Sequence, residues 1–214
     1  MLKKNKVTLI ITSVVTLLPI LVGLFLWDQL PEQVPIHWGI DGEVDDWSSK
    51  SFAVFGFPCI MLAMQWVCML ASLADPKRVY DNHKAFHVVL WICPCISLLL
   101  GVLVYATALG YSMEVEILMP LLVGCMFVVI GNLLPKMRQS YTMGIKLPWT
   151  LDNEENWNKT HHFAGWVWTL GGCVTMVTAL IGSFWVLLGV IIAMVLIPTL
   201  YSYLLYRKQQ KGTA

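Results

Sequence analysis

Six stretches of this chain run for 18 residues or more without a single Asp, Glu, Lys, Arg or His, and nothing else in the sequence limits the fold so strongly. They are 7–27, 52–74, 88–110, 117–134, 163–181 and 184–206. A bilayer core of roughly 30 Å is crossed by about 20 apolar residues as helix. The shortest stretch, 117–134, still spans about 27 Å at about 1.5 Å per residue. Lipid offers no partner to an open backbone, so each crossing must satisfy its own hydrogen bonds as a helix. The composition agrees, with 57% hydrophobic and 13% charged residues, which is unlike soluble domains. The expected fold is therefore all-α: a polytopic membrane protein with six transmembrane helices. Only Gly182 and Ser183 separate the last two stretches, which predicts a tight helical hairpin. Lys3, Lys4 and Lys6 resemble the basic start of a signal peptide, but the apolar run after them is too long and no small-x-small cleavage site ends it. A retained first helix, kinked at Pro19, is expected.

Charge sets the expected orientation. Six spans put both termini on one side, together with Lys3, Lys4, Lys6, Lys77, Arg78, Lys84, Lys136, Arg138, Lys146, Lys159, Arg207, Lys208 and Lys211. The other side receives Lys50 alone. This asymmetry predicts cytoplasmic termini. The outer segments hold most of the acids, so a formal net charge of +1 conceals a strongly polar distribution and points to no nucleic-acid partner. Cys59, Cys68, Cys93, Cys95, Cys125 and Cys173 all fall inside spans, where cysteine packs as a small apolar residue. No disulfide framework is implied.

Two polar segments divide the chain. Residues 1–110 form an N-terminal three-helix part with an extracytoplasmic loop, 28–51. Residues 111–214 form a C-terminal three-helix part with a cytoplasmic loop, 135–162. In the outer segment Pro31 and Pro35 favour extended backbone, and Asp41-Gly42 signals a turn. Asp41, Glu43 and Asp45 alternate as in a calcium loop, but Asp46 stands where that loop needs glycine, so a solvated acidic turn is the reading. In the inner segment Pro148 ends an extended stretch. Asp152 followed by Glu155 reads as a capping box for a helix that runs into the fifth span. Glu154 and Glu155 then lie in its first turn, where the helix dipole favours them. Glu154, Asn158, His161 and Gly165 are expected on one helical face. Trp149, Trp157, Trp166 and Trp168 cluster nearby.

At these two segments the chain resembles a bacterial membrane-protein family, the SdpI family. The stretch LPEQVPIHWGIDGEVDDWSSK, 30–50, is similar to the extracytoplasmic signature of a domain of unknown function that commonly begins these proteins; its marks are Pro31, Pro35, His37, Trp38, Gly42, Trp47 and Lys50. The stretch GNLLPKMRQSYTMGIKLPWTLDNEENWNKTHHFAG, 131–165, is similar to the second family signature through Gly131, Asn132, Pro135, Gly144, Pro148, Trp149, Thr150, Glu154, Trp157, Thr160 and His161. The resemblance covers nearly the whole chain. It departs at Lys146-Leu147, where the family commonly has Arg-Thr, and at His162, commonly Arg. Lysine does not reproduce a bidentate arginine contact.

The resemblance implies an immunity and signal-transduction protein of the bacterial cell membrane. Such a protein guards the cell against a secreted toxic peptide and captures a cytoplasmic repressor at the membrane. The implied partners are lipids, the peptide and that repressor, with no cofactor and no direct contact with nucleic acid. The implied partner-binding residues are Asn132, Gly144, Lys146, Pro148, Trp149, Thr150, Glu154, Trp157 and His161. The implied toxin-facing residues are Pro35, His37, Trp38, Gly42, Asp45, Asp46, Trp47 and Lys50.

Two other functions were weighed from the residues. A metal-dependent membrane enzyme would use His83, His87, His161 and His162, with Asp81, Glu154 and Glu155 as oxygen ligands; His83 and His87 have i, i+4 spacing. The sequence has no HExxH, CxxC or GxSxG motif and no phosphate loop, so neither metal nor catalysis is expected. A small transporter or flippase-like protein would ordinarily hold ionisable groups within the bilayer. The notable polar groups inside the spans are Gln65, expected to bond between helices, and Asn132, expected to order the inner loop.

Overall fold

The computed structural model describes residues 2–76, 83–180 and 183–212, with side chains from 5–76, 86–180 and 183–211. Among the described residues seven α-helices follow in order: α1 Leu2–Phe25, α2 Phe57–Leu73, α3 His83–Ala108, α4 Val115–Leu133, α5 Pro148–Asp152, α6 Glu154–Thr178 and α7 Phe184–Gly212. Five helices among the described residues are long and apolar enough to cross a membrane, at Asn5–Phe25, Phe52–Leu73, Phe86–Ala108, Val115–Lys136 and Phe184–Lys211. This is an all-α polytopic membrane protein. The expected fifth span lies in α6, whose first turns are polar and whose apolar part begins only at Phe163. Lys77, Arg78, Asp81 and Gly182 lie outside the described residues, as do the side chains of Lys3, Lys4, His83 and Lys84. The chain forms two compact units. One comprises 1–71 and 86–115; the other comprises 72–85 and 116–214.

In the first unit the segment expected as an acidic loop is a β-hairpin. Strand β1, Gln33–Trp38, pairs antiparallel with β2, Val44–Ser49. Asp41-Gly42 forms the expected turn: the Gly42 N–H donates to the Gly39 carbonyl at 3.1 Å, and Gly42 has φ 76°. The hairpin is seated by Val34 and Pro35, both buried. Nearby, Leu30, Val54 and Tyr105 form a buried cluster with Trp27 and Val104 packed against it. A π-helical turn, Phe52–Gly56, leads from the hairpin into α2. Lower in the unit a buried polar network joins the helices. The Gln65 amide donates to Thr12 Oγ1 at 2.7 Å, Thr16 donates to Gln65 Oε1 at 2.8 Å, and Ser97 donates to the Thr16 carbonyl at 2.8 Å. Gln65 thus bonds between helices as expected, and the network removes the cost of leaving amides and hydroxyls bare in an apolar interior.

The second unit is built on an unusually close helix crossing. A β-carbon placed on Gly172 would lie 2.7 Å from the Gly124 carbonyl oxygen, and one on Gly165 would lie 2.9 Å from the Gly131 carbonyl oxygen. These glycines recur seven residues apart on both α4 and α6, so the antiparallel backbones touch with no side chain between them. Small residues permit such approach where lipid supplies no hydrophobic drive.

Candidate functional site

Segment 135–162 is folded against itself. Pro148 opens α5 after Leu147, which is extended at φ −106° and ψ 151°. Thr150, at the third position of that turn, accepts the Leu147 N–H at 2.9 Å and donates to the Ile145 carbonyl at 2.8 Å. Because α5 runs through Asp152, that residue is already helical and cannot cap α6. The cap is Asn153, extended at φ −124° and ψ 113°, whose side chain accepts the Asn156 N–H at 2.9 Å. This corrects the expected Asp152 cap by one residue. Glu154 and Glu155 do occupy the first turn. Glu155 meets Lys159 at 2.6 Å, and this bond holds its carboxyl below the usual range.

The buried stripe of α6 is Asn156, Trp157, Thr160, His161, Ala164 and Gly165. It includes two of the four residues expected on one face, while Glu154 and Asn158 are exposed. The reason is the tertiary contact of the loop, which packs over Trp157 and His161. Trp157 is 0% exposed and donates from Nε1 to the Met137 carbonyl at 2.9 Å. His161 is 1% exposed and stacks on Trp157 with ring centroids 3.9 Å apart. Its Nε2 accepts the Ile145 N–H at 2.9 Å. The proton therefore sits on Nδ1, which donates to the Trp157 carbonyl at 2.8 Å. Burial pushes the imidazole pKa down to about 4, against a smaller opposing effect of the bond to Trp157. Gly144, at φ 108°, presses on this pair: a β-carbon there would lie 2.5 Å from His161 Nε2 and 2.8 Å from the Trp157 ring.

Two further anchors fix the segment, and the sequence reading missed both. Asp75 is buried, and its Oδ2 accepts from the Ser140 hydroxyl at 2.7 Å, the Tyr141 and Thr142 N–H groups at 2.9 and 3.0 Å, and the Thr142 hydroxyl at 2.9 Å. Ser202 in α7 accepts from Trp149 Nε1 at 2.9 Å and donates to Asn156 Oδ1 at 2.9 Å. The Trp149 ring packs against both Tyr203 and Tyr206, with centroids 5.6 and 5.5 Å away.

These contacts sort the residues expected to bind a partner. Thr150, Trp157 and His161 are buried within the segment and offer a partner no surface. Their polar atoms are engaged within the segment. Gly144 and Trp149 are partly buried, whereas Asn132, Lys146, Pro148 and Glu154 are exposed. Asn132 does not order the loop as expected; it donates to the Val128 carbonyl of its own helix at 3.0 Å. His162 is exposed. Among the described residues no group of three or more His, Cys, Asp or Glu is placed to hold a metal ion.

On the hairpin, Asp45, Asp46 and Trp47 are exposed. His37 is exposed and bonds Asp45 across the strands at 2.5 Å. Lys50 is held by Glu32 at 2.8 Å and lies over the Trp27 ring at 4.9 Å. Trp38 is partly buried and lines a cavity of about 150 Å³ beneath the hairpin.

The chain is a multi-span helical protein with an ordered polar hairpin in one unit and a folded, polar-cored loop in the other. Comparison with known proteins shows what the chain is similar to. Residues 136–202 match the SdpI/YfhL protein family, and residues 14–62 match a Domain of unknown function (DUF1648). The chain is 26% identical over 214 residues to Immunity protein SdpI of Bacillus subtilis (strain 168), covering 97% of this chain and 98% of that one. No solved structure matches. The expected SdpI-family resemblance therefore holds, and the chain is a multi-pass protein of the bacterial cell membrane.

Proposed function

We propose that this protein confers immunity to a secreted toxic peptide at the membrane, and that segment 135–162 relays peptide encounter to a cytoplasmic repressor. Similarity along nearly the full length of an immunity protein supports the first half. The observation that supports the second is the internal bonding of the segment. Asp75, His161 and Thr150 hold its backbone and Ser202 holds the Trp149 side chain, so exposed Lys146, Pro148 and Glu154 form a preorganised surface. A preorganised surface loses little entropy on binding. In this reading the hairpin lies outside and the segment inside, following the basic-residue asymmetry.

The test uses a strain lacking the gene, complemented with wild type or with Lys146→Ala plus Glu154→Gln. Survival under the secreted peptides of neighbouring strains, a repressor-controlled reporter and membrane abundance are measured together. Wild-type survival and abundance with a silent reporter are expected of the double variant. A wild-type complement that gives no protection against any peptide removes the immunity half; a full reporter response in the double variant removes the relay surface. Cysteines placed at Trp47 and Lys146 in a cysteine-free background should label oppositely with an impermeant thiol reagent in intact cells.

A further inference from the structure

The cavity under the hairpin has walls from several elements. Ile36 and Trp38 come from β1, Phe52 from the π-helical turn, Phe57 from the start of α2, and Val104 and Tyr105 from the end of α3. Tyr105 spends its hydroxyl on the Pro19 carbonyl at 2.9 Å, so it presents ring rather than a free polar group. At about 150 Å³ the space matches apolar protein cavities that stay dry and take a benzene-sized guest, roughly 150 Å³. π-helical turns are rare and recur at functional sites, and the one here supplies part of the wall.

Charge on the same hairpin specifies what carries the guest. Segment 28–50 contains six carboxylates, Asp28, Glu32, Asp41, Glu43, Asp45 and Asp46, against the single cation Lys50. Glu32 holds Lys50, while Asp41, Glu43, Asp45 and Asp46 are exposed within a few residues of Ile36 and Trp38 or of their strand partners. An anionic rim beside an apolar hole repels anionic lipid headgroups and attracts cations. We infer that the cavity seats one aromatic or branched aliphatic side chain of a cationic peptide, with flanking Lys or Arg residues meeting the hairpin carboxylates. This deepens the immunity half of the proposed function and rests on it.

The experiment uses the full-length protein in lipid nanodiscs and three photoreactive tripeptides built around photoleucine: Lys-photoleucine-Lys, Ser-photoleucine-Ser and Glu-photoleucine-Glu. A phosphatidylglycerol with a diazirine in its acyl chain forms the fourth arm. Labelled residues are mapped by mass spectrometry. The lysine probe is expected to label Trp38, Phe52, Phe57 or Tyr105 most strongly, and the glutamate probe to leave them unlabelled. Val104→Phe should fill the hole and bring labelling down to the dark control. Asp45→Asn with Asp46→Asn, both exposed and each keeping an amide oxygen where the carboxylate accepts, should weaken the lysine probe and leave the serine probe unchanged. Equal labelling by all three tripeptides, or labelling of the cavity by the lipid alone, overturns the inference. These readouts contain no toxin and no cells, so their failure leaves the survival assay above to judge immunity separately.

Discussion

Lowering the pH should unlock the 135–162 segment through His161, and the size of the effect follows from its surroundings. The buried imidazole has a pKa of about 4, against an ordinary value near 6.5. The folded state thus disfavours the proton. The stabilisation is full above about pH 6.5, where both states are neutral, and is lost as the pH falls toward 4, because the unfolded state binds the proton first. About 2.5 units at about 1.4 kcal/mol each gives a little over 3 kcal/mol, of which about 3 is gone by pH 4. Protonation also puts a hydrogen on Nε2, which then faces the Ile145 N–H at 2.9 Å instead of accepting it. The assay is thermal or denaturant unfolding of the detergent-purified protein between pH 7.5 and 4, compared with His161→Gln. Subtracting the variant removes the titration of surface carboxylates. The wild-type advantage should shrink by about 3 kcal/mol over that range. An advantage that stays constant from pH 7.5 to 4 would refute the neutral, doubly bonded histidine.

Other substitutions probe the remaining supports. Gly144→Ala should destabilise by at least about 1–3 kcal/mol from the positive φ alone, and by more as its methyl drives into His161; unfolding midpoints test this. Asp75→Ala should cost at least about 1–3 kcal/mol by removing the acceptor that Ser140, Tyr141 and Thr142 share, visible as rapid proteolysis of the segment in nanodiscs. Gly172→Leu should prevent close packing of α4 and α6 and strip monodisperse protein from detergent extracts, whereas Gly189→Leu, with nothing within 4 Å, should not. Neutralising Asp45 and Asp46 together should weaken protection more at low salt than at high salt in the survival assay.

The parts of this fold legible in the sequence are those with a local period or a local chemistry. An unbroken apolar run announces a span, and Asp41-Gly42 between two extended segments announces a turn, although the pairing of β1 with β2 was not read from it. The cap was missed by one residue because α5 and α6 abut; a proline-started helix reaching Asp152 leaves only Asn153 free to take extended backbone. Asp75 was missed entirely. Its partners lie 65 to 67 residues away, and an Asp before a Pro after a span looks like any solvated turn. Trp157 and His161 stood out as unusual residues, but sequence cannot tell an aromatic that waits for a partner from one already enclosed by its own loop. In the structure Gly144 marks that enclosure, since no side chain could replace it against those rings.

The glycine contact between α4 and α6 has a mechanical consequence. Where side chains separate two helices, they can act as bearings over which one helix slides or turns. Here the Gly124 and Gly131 carbonyls meet Gly172 and Gly165 directly, so a shift of one helical turn, about 5.4 Å, would drive bulkier neighbours into the opposing backbone. The pair behaves as a single welded strut. Segment 135–162 joins its two members at one end, Pro135 abutting the Gly165 position, and so inherits a fixed base. A message reaching that segment through these two helices must arrive as a tilt of the whole strut, not as one helix pistoning past the other.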